Sequence, residues 1–376
     1  MTTVAKVLIM AGGTGGHVFP ALTIARELLA RGVRVEWLGT RQGIEARVIG
    51  ATDIPLHFIT MSGLRGKTLG RKLLAPFIAA AAVCQAVLRI RRIKPCCVLG
   101  LGGFASGPGG VAAWLLGKPL LIHEQNAIAG LTNTLLYPLA RVVMEGFAGA
   151  FARKVALQPV LRHLVNGRKN EQVGNPVRQN LRHVERGHDV PESGRLHLLV
   201  LGGSLGAVAI NETVPRMLDM LGPAAQPEVL HQCGERHLDT TLAAYREAGI
   251  GLDAHTRVQP FIEDMEQAYL WADLVLCRAG ASTVAELCMM GLPAVLVPYP
   301  HAVDDHQRGN AEVMVKAGAA VLIPQSELSV AALSELVGAL HADRARLRTM
   351  GSAALTLARP QAAEHAADLC LEYCRG

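Results

Sequence analysis

The chain contains two copies of one pattern, an apolar strand that leads straight into a glycine-rich turn and then into a helix. The first copy is KVLIMAGGTGGH, starting at residue 6, and the second is RLHLLVLGGSLGA, starting at residue 195. The first helix is followed by another strand, VRVEWLG, and this order of elements forms a β-α-β unit with parallel strands. The pattern therefore predicts an α/β fold with two parallel-sheet domains.

A chain of 376 residues has the length of two domains. We predict a first domain over residues 1–172 and a second over 173–354, because periodicity is weakest between residues 151 and 175. Open parallel sheets bind ligands beyond the carboxyl ends of their strands. Two such domains are therefore expected to leave a binding cleft lined by their glycine turns.

The eight cysteines are dispersed without a C-x-x-C motif. Cys96 and Cys97 lie in an apolar run that predicts a buried strand, whereas Cys370 and Cys374 share one face of a predicted helix. Two thiols alone rarely form a metal site. A reduced, cytoplasmic protein fits this usage best, and the apolar run 7–11 ends in glycines rather than in a signal-peptide cleavage site.

Glycine turns follow several predicted strands and favour a phosphorylated ligand. The turn AGGTGGH lies between a strand and a helix, where backbone N–H groups and the helix N-terminus can bind an anion; the alternative is a tight turn without a ligand. A dinucleotide fingerprint would need glycine where Val18 stands, although Glu36 keeps a nicotinamide interpretation open. Together with GGFASGPGG (102–110) and GGSLG (202–206), the turns indicate two phosphates or two phosphorylated ligands.

The stretch RAGASTVAEL, residues 278–287, combines small residues with a carboxylate. Its glycine lets a backbone approach a ligand, and Ser282 or Thr283 can cap the helix that follows. We place Glu286 on the first helical turn, facing the cleft, where a carboxylate suits the diol of a ribose. A carboxylate that only complements the helix dipole is an equally good interpretation.

The loop HAVDDHQRGNA, residues 301–311, is crowded with polar side chains. Its histidines and aspartates, His301, Asp304, Asp305 and His306, could imitate a metal site. Their spacing fits no tetrahedral arrangement, so a hydrogen-bonding loop is favoured and no metal is predicted.

A basic window lies between Asp53 and Glu124, with nine Lys and Arg residues and no acidic residue, in a chain of net charge +6. Its apolar run, residues 73–88, is too short to span a bilayer, but a helix flanked by basic residues suits a lipid headgroup region. A buried helix with solvated ends is the alternative, and nucleic acid is disfavoured because residues 64–95 contain one aromatic. We predict these membrane contacts: Arg65, Lys67, Arg71, Lys72, Leu73, Leu74, Phe77 and Arg89.

Taken together, these stretches resemble the MurG family of peptidoglycan UDP-N-acetylglucosamine transferases. The matching motifs appear in family order over most of residues 6–320: GGTGGHVFPAL, SGLRGK, GGFASGPGG, HEQNAIAGLTN, VGNPVR, GGSLGA, FIEDM, CRAGASTVAEL and DDHQRGNA. The chain departs from the family at Leu205, where the family usually has glutamine, and in a connector over residues 152–170 that is longer than usual.

The resemblance implies a GT-B glycosyltransferase fold, α/β, with two Rossmann-like domains facing a cleft and a last helix, about 355–376, that returns to the first domain. It implies inverting transfer of GlcNAc from UDP-GlcNAc to the C4 hydroxyl of MurNAc-pentapeptide on undecaprenyl pyrophosphate, which converts lipid I to lipid II. No metal or other cofactor is expected. The implied setting is peripheral, on the cytoplasmic face of the bacterial inner membrane, with lipid I, the anionic membrane surface and cell-wall synthesis proteins as partners, and no nucleic acid.

The resemblance also assigns residues by motif. In the second domain, Ile262 is expected to meet uracil through its backbone and Glu286 the ribose. The residues expected to hold the diphosphate are Ser204, Arg178, Gly280, Ala281, Ser282 and Thr283. Sugar and cleft contacts are expected from Asn126, Gln307, the nearby His306, Thr14, Gly15 and Gly16. The acceptor is assigned to Gly13, Gly103, Ser106 and Gly107.

Inverting transfer needs a base for the acceptor hydroxyl. The pKa of an imidazole lies near working pH, such a base contributes about 10²–10⁴-fold, and a helix N-terminus keeps His17 unprotonated. Glu124 is the alternative base, with His17 then only hydrogen-bonded to substrate. Three other functions stay open: a nucleotide-sugar epimerase, a nicotinamide oxidoreductase and a non-catalytic UDP-GlcNAc-binding membrane protein.

Overall fold

The computed structural model describes residues 5–61, 74–152, 169–182, 192–203 and 206–374. The chain forms two compact units. The first unit comprises Met1–Arg178 and Arg359–Gly376, and the second comprises Gln179–Ala358.

The first unit is built on a parallel sheet. Its described strands are β1 (Lys6–Met10), β2 (Arg34–Gly39), β3 (Leu56–Phe58), β4 (Cys97–Gly100), β5 (Leu120–Glu124), β6 (Val142–Glu145) and β7 (Lys169–Gln172). They lie in the order β3-β2-β1-β4-β5-β6-β7. Its described helices are α1 (Gly15–Ala30), α2 (Ile44–Gly50), α3 (Ala75–Ile93), α4 (Ser106–Leu115), α5 (Leu131–Leu136) and, from the end of the chain, α13 (Ala362–Glu372).

The second unit repeats this design. Its described strands are β8 (His197–Leu201), β9 (Glu228–Gln232), β10 (Thr256–Gln259), β11 (Leu274–Cys277), β12 (Ala294–Leu296) and β13 (Ala320–Leu322). They are parallel and lie in the order β10-β9-β8-β11-β12-β13. Its described helices are α6 (Val208–Ala225), α7 (Leu238–Glu247), α8 (Met265–Trp271), α9 (Ala281–Met289), α10 (His306–Lys316), α11 (Val330–Ala342) and α12 (Arg344–Thr356).

The strand order follows from the amino-acid pattern. The central strands are continuous apolar runs, and β4, β6 and β11 are buried at every position, as expected when helices cover both faces of a sheet. In each sheet the order changes direction beside the first strand, between β1 and β4 and between β8 and β11. Such switch points are where open sheets bind ligands. The predicted α/β fold with two Rossmann-like sheets is confirmed.

The chain passes between the units after Arg178 and after Ala358, a few residues beyond the positions that the sequence suggests, 172 and 354. Val173 explains the first difference, because it is buried in the core that β1 and β4 form. Helix α13 packs on α1 and contributes Ala363, Ala366 and Ala367 to that same core. The last helix is thus an integral part of the first unit.

The cysteines differ from the expectation of free thiols. Cys96, just before β4, is joined to Cys374, just after α13, by a disulfide with a Cα–Cα distance of 5.0 Å. Their separation of 278 residues explains why spacing in the sequence gives no sign of the bond.

Candidate active site

Two glycine turns of the first unit pack against each other at the carboxyl ends of β1 and β4. The turns meet because these strands are neighbours in the sheet. Gly103 has φ +86°, and a Cβ there would lie 2.2 Å from the carbonyl oxygen of Gly12. Only glycine permits this approach, since other residues rarely adopt this backbone conformation and would also clash. The predicted acceptor residues Gly13 and Gly103 thereby lie side by side.

His17 lies where these two turns meet. It is the third residue of α1, and its Nδ1 is 3.2 Å from the carbonyl oxygen of Gly12 and 3.3 Å from Oγ1 of Thr14. A carbonyl oxygen only accepts, so Nδ1 carries the hydrogen in that bond, and in the neutral ring Nε2 then carries the lone pair. The ring lies beside Gly102, where an added Cβ would be 3.1 Å from Nε2. The half-buried imidazole is thus held in one orientation, with the lone pair that a base requires on Nε2.

Ser106 requires a correction to its predicted role in acceptor binding. Its side chain is fully buried, and the one hydroxyl hydrogen is shared between the carbonyl oxygens of Met10, at 2.8 Å, and Gly102, at 2.7 Å. The side chain therefore joins β1 to the second glycine turn rather than facing a ligand. Gly107 follows in the first turn of α4, with Thr132 Cγ2 3.7 Å from the position of an added Cβ.

Glu45, which the sequence does not single out, supports the first glycine turn. Its side chain is fully buried, with Oε2 accepting from the N–H of Gly13 (3.1 Å) and Oε1 from the N–H (2.9 Å) and hydroxyl (2.8 Å) of Thr40. An added Cβ would lie less than 3 Å from this side chain at Gly12, at Gly39 and at Gly43. The three glycines leave room for a carboxylate that fixes the turn on which His17 depends.

Glu124, the alternative base, has both oxygens occupied. Oε1 accepts from the backbone N–H and the side-chain amide of Asn126, both at 3.0 Å. Oε2 accepts from the N–H of Gly130 (3.0 Å) and the amide of Asn133 (2.9 Å), and the side chain is 2 % exposed. The carboxylate accepts from four donors and thereby anchors Asn126 and the loop after β5. This arrangement suits a structural role better than proton transfer.

Glu36 lies away from this edge, which removes the basis of the nicotinamide interpretation. It is the third residue of β2, and its oxygens pair with Lys6 Nζ at 3.0 Å and His57 Nε2 at 2.6 Å. Burial raises its pKa, but the hydrogen bonds from Lys6 and His57 outweigh burial and leave the pKa below its ordinary value. The carboxylate is engaged in an ion-pair cluster within the sheet layer.

In the second unit, a buried polar network connects β9 to the helices beside it. The side-chain amide of Asn211 donates to the carbonyl oxygen of Cys233 (3.0 Å), and its oxygen is 3.0 Å from His231 Nε2. His231 Nδ1 accepts from the hydroxyl of Tyr245 at 3.0 Å. Burial lowers the pKa of His231 to about 3, so the ring is neutral. The network joins α6, β9 and α7; the predicted phosphate ligand Ser204 and the divergent Leu205 lie outside the described residues.

Helix α9 begins beyond the carboxyl end of β11, as a phosphate-binding helix should. Gly280 is its N-cap residue, and no side chain caps the helix, so the predicted capping by Ser282 or Thr283 is wrong. The hydroxyl of Ser282 is buried and has no hydrogen-bond partner among the residues that the structure describes. Ala281 opens the helix and is 7 % exposed.

Glu286 is also placed differently from the expectation. It is the sixth residue of α9, hence in the second turn rather than the first, and it is 6 % exposed. Its Oε2 accepts from the hydroxyl of Tyr269 at 2.8 Å. The carboxylate is therefore held from α8, by a tyrosine that no sequence motif indicates.

The loop before α10 is fixed by hydrogen bonds. His306 Nδ1 is 2.6 Å from the carbonyl oxygen of Val303, Gln307 Oε1 accepts from the N–H of Tyr299 (2.9 Å), and the buried Asn310 donates to the carbonyl oxygen of Ala279 (3.0 Å). Asn310 lies within α10 and thus ties this helix to the turn that precedes α9. In the described part of the chain, the side chains that cluster closely enough to share an ion are cysteines and not residues of this loop.

The remaining predicted ligands are scattered over the two units. Ile262 is buried just before α8, and Arg178 is exposed at the end of the first segment of the first unit. Thr14 and Gly16 are exposed, and Gly15 is partly exposed, at the beginning of α1. The substrate contacts of these residues stay predictions.

Three of the predicted membrane residues are described. Leu74 and Phe77, at the beginning of α3, are 54 % and 73 % exposed, and Arg89 on the same helix is partly exposed. Arg65, Lys67, Arg71, Lys72 and Leu73 lie outside the described residues. Among the helices that the structure describes, none is long and apolar enough to cross a bilayer.

Comparison with known proteins agrees with this architecture. Residues 7–145 match the glycosyltransferase family 28 N-terminal domain and residues 197–368 match the family 28 C-terminal domain. A relative from Alkalilimnicola ehrlichii is 53 % identical over 98 % of this chain and 99 % of its own length. It is named UDP-N-acetylglucosamine–N-acetylmuramyl-(pentapeptide) pyrophosphoryl-undecaprenol N-acetylglucosamine transferase.

Solved structures give the same result. The crystal structure of Acinetobacter baumannii MurG superposes with a TM-score of 0.79 at 38 % identity, covering 98 % of this chain and 99 % of that one. A UDP-N-acetylglucosamine 2-epimerase from Listeria monocytogenes has a TM-score of 0.66 at 15 % identity, covering 97 % and 95 %, and shares only the fold. The chain therefore belongs to glycosyltransferase family 28, and within it to the MurG family that its motifs resemble.

Proposed function

We propose that this protein transfers GlcNAc from UDP-GlcNAc to the C4 hydroxyl of MurNAc-pentapeptide on undecaprenyl pyrophosphate, with inversion at the sugar carbon. The relatives' printed names support the donor and the acceptor. The observation that carries the mechanism is the orientation of His17, whose Nδ1 is held by the carbonyl oxygen of Gly12. The epimerase alternative rests on a shared fold alone.

In this mechanism His17 Nε2 removes the proton from the acceptor hydroxyl as that oxygen attacks the anomeric carbon and the bond to UDP breaks. The two packed glycine turns of the first unit present backbone to the acceptor pyrophosphate. Glu124 acts as a positioning residue, because its four hydrogen bonds hold the loop that carries Asn126. This division of roles favours His17 over Glu124 as the base.

The second unit binds the donor in this proposal. The N-terminus of α9 and the turn after β8 receive the charge that develops on the leaving UDP, as oriented N–H groups do at developing anions. Glu286, held by Tyr269, accepts from the ribose, and Ile262 meets the base. With these groups as the electrostatic partners, no metal is needed in the transfer step.

The test is transfer by the purified protein from UDP-GlcNAc to a short-chain lipid I analogue, followed by mass as one added N-acetylhexosamine. We expect His17→Ala to lower kcat by about 10²–10⁴-fold with little change in the KM for UDP-GlcNAc, because it removes a base and not a donor contact. His255→Ala is the matched control, since His255 is exposed before β10 and pairs with Glu228. Full activity of His17→Ala would assign the base elsewhere, and epimerised UDP-GlcNAc without transfer would contradict the proposed function.

We further propose that the beginning of α3 lies on the anionic cytoplasmic surface of the inner membrane. There the protein would meet lipid I and the proteins of cell-wall synthesis. Phe77 and Leu74 offer exposed apolar area beside a basic window. Phe77→Ser should therefore lower sedimentation with anionic vesicles severalfold, whereas Met220→Ser, at another exposed apolar position, in the second unit, should not. Equal losses in both variants would contradict this surface.

A further inference from the structure

Four cysteines come together at the amino ends of the strands, on the side of the first sheet opposite to the glycine turns. Cys97 begins β4 and Cys96 precedes it, while Cys370 lies in the last turn of α13 and Cys374 lies just after that helix. The sulfurs of Cys96, Cys97 and Cys374 all lie within 4.8 Å of one another. We name these four residues the cysteine cluster.

Within the cluster, one pair is bonded and a third thiol stands next to it. The structure joins Cys96 to Cys374, and the Sγ of Cys97 is 4.0 Å from that of Cys374. Cys97 and Cys370 are fully buried, whereas Cys96 and Cys374 are partly exposed. A hydrogen bond with Cys97 and burial raise the pKa of Cys370, which keeps it a thiol. The bonded pair is therefore the one that a soluble reagent can reach.

We propose that the cysteine cluster is a site of reversible thiol oxidation, in which the Cys96–Cys374 disulfide opens and closes by exchange with a low-molecular-weight disulfide. In closing, the Cys374 thiolate attacks one sulfur of the reagent and releases the other half as a thiolate. The Cys96 thiolate then attacks the Sγ of Cys374 and releases the second half. Two cysteine thiols become one disulfide and the reagent is reduced to two thiols, so atoms and electrons balance.

Closing the bond fastens the last helix to the sheet. Helix α13 packs on α1 and completes the core beside β1 and β4, and Arg31, the residue after α1, forms an ion pair with Asp368. The reduced protein holds α13 by non-covalent contacts such as these, together with the ion pair of His365 and Glu171. The oxidised protein adds a covalent link across 278 residues, which restricts the opening of α13 from the first unit.

Three sulfurs so close could instead bind a soft metal ion as thiolates. The disulfide consumes two of the three ligands, so oxidation and metal binding exclude each other at this site. The observed Cys96–Cys374 bond favours oxidation, and this inference is independent of the transferase proposal.

The test compares the full-length protein after dithiothreitol with the same protein after oxidised glutathione. Alkylation under denaturing conditions and intact mass should give eight modified thiols in the reduced protein and six in the oxidised protein, in keeping with the six free cysteines of the structure. Peptide mapping should place the bond at Cys374. Hydrogen exchange of residues 362–372 should be slower in the oxidised protein, and dithiothreitol should restore the faster rate.

Cys374→Ser should abolish both the protection of two thiols from alkylation and the redox dependence of hydrogen exchange. Cys84→Ser, at an exposed free cysteine on α3, should change neither. Because the reduced wild type is itself a test, the proposal does not depend on the folding of the variant. Eight free thiols after oxidised glutathione, a disulfide at other cysteines, or a Zn²⁺ ion bound to the cluster in place of the bond would overturn the proposal.

Discussion

At the scale of single residues, the buried carboxylate of Glu45 shows how a glycine turn is given a fixed shape. Three hydrogen bonds converge on it, from the N–H of Gly13 and from the N–H and hydroxyl of Thr40. Removing a buried acceptor of this kind lowers the free energy of unfolding, because each buried donor left without a partner costs about 1–3 kcal/mol.

Glu45→Gln tests this role. The amide offers one oxygen and places an N–H₂ group against the donors of Gly13 or Thr40, so we expect the free energy of unfolding to fall by about 1–3 kcal/mol. We also expect kcat to fall more than KM rises, because the turn holds His17 through Gly12. Urea unfolding and steady-state transfer kinetics measure both. Glu247→Gln, at an exposed position of α7, is the control, and an unchanged kcat in a destabilised Glu45→Gln protein would separate Glu45 from catalysis.

His231 gives the second unit a pH-dependent stability. Its pKa is about 3 in the fold because of burial, against an ordinary value of 6.5. Below pH 6.5 the imidazole of His231 binds a proton in the unfolded chain but stays neutral in the fold. The free energy of unfolding should therefore fall as the pH drops from about 6.5 towards 3, by at most about 1.4 kcal/mol per pH unit. Hydrogen exchange of β9 peptides at pH 7, 6 and 5 measures this loss.

His231→Gln should reduce this dependence while lowering stability at pH 7, because the bonds to Asn211 and Tyr245 are disturbed. His255→Gln, at an exposed histidine, should keep the wild-type dependence. An identical slope in the His231→Gln protein would assign the effect to other groups.

Individual residues also show where sequence reasoning ends. His17 could be singled out because a histidine beside a glycine turn is visible as a pattern. Glu45 and Tyr269 could not, because the groups they serve belong to other elements and meet them only in the fold. The prediction that Glu286 lies in the first turn is wrong for a simpler reason. The turn depends on where α9 begins, and the sequence contains two good capping residues that the helix does not use.

At the scale of elements, most strands and helices follow from apolar periodicity, but the stretch GGFASGPGG does not behave as one glycine turn. Its second half opens helix α4 despite three glycines and a proline. Tertiary contact decides this, because an added Cβ would lie 2.1 Å from Met10 Sδ at Gly109 and 2.6 Å from Leu136 Cδ2 at Gly110. The helix is glycine-rich so that it can approach the sheet and α5, an arrangement that propensity alone argues against.

The element that depends most on its surroundings is α13. Ala367 is fully buried in the core of the first unit, so Ala367→Asp should place an unpaired charge there and lower the stability of that unit by several kcal/mol. Hydrogen exchange should become faster in α1 and β1 and stay unchanged in β8 and β11. Gln361→Asp, at the exposed N-cap of α13, is the control, and exchange that rises equally in both units would contradict a separate core.

At the scale of the whole molecule, the two sheets share a strand order, and the sequence could predict this because each opens with the same strand and glycine turn. The sequence could not predict the residue at which the chain passes from the first unit to the second. Val173 still belongs to the core of the first unit, although it lies beyond the last segment with clear apolar periodicity. The site is therefore predictable as a set of turns at strand ends. The hydrogen bonds that orient each turn emerge only from the folded core.

The return of the last helix to the first unit sets an order of events during synthesis. All residues of the second unit lie between 179 and 358, whereas the core of the first unit includes Ala363, Leu369 and Cys370. Domains are generally completed from the N-terminus as the ribosome moves, but here the first sheet cannot bury its α13 face until residues 362–372, which follow the whole second unit, have been made. The domain that is made first is thus the domain that is finished last.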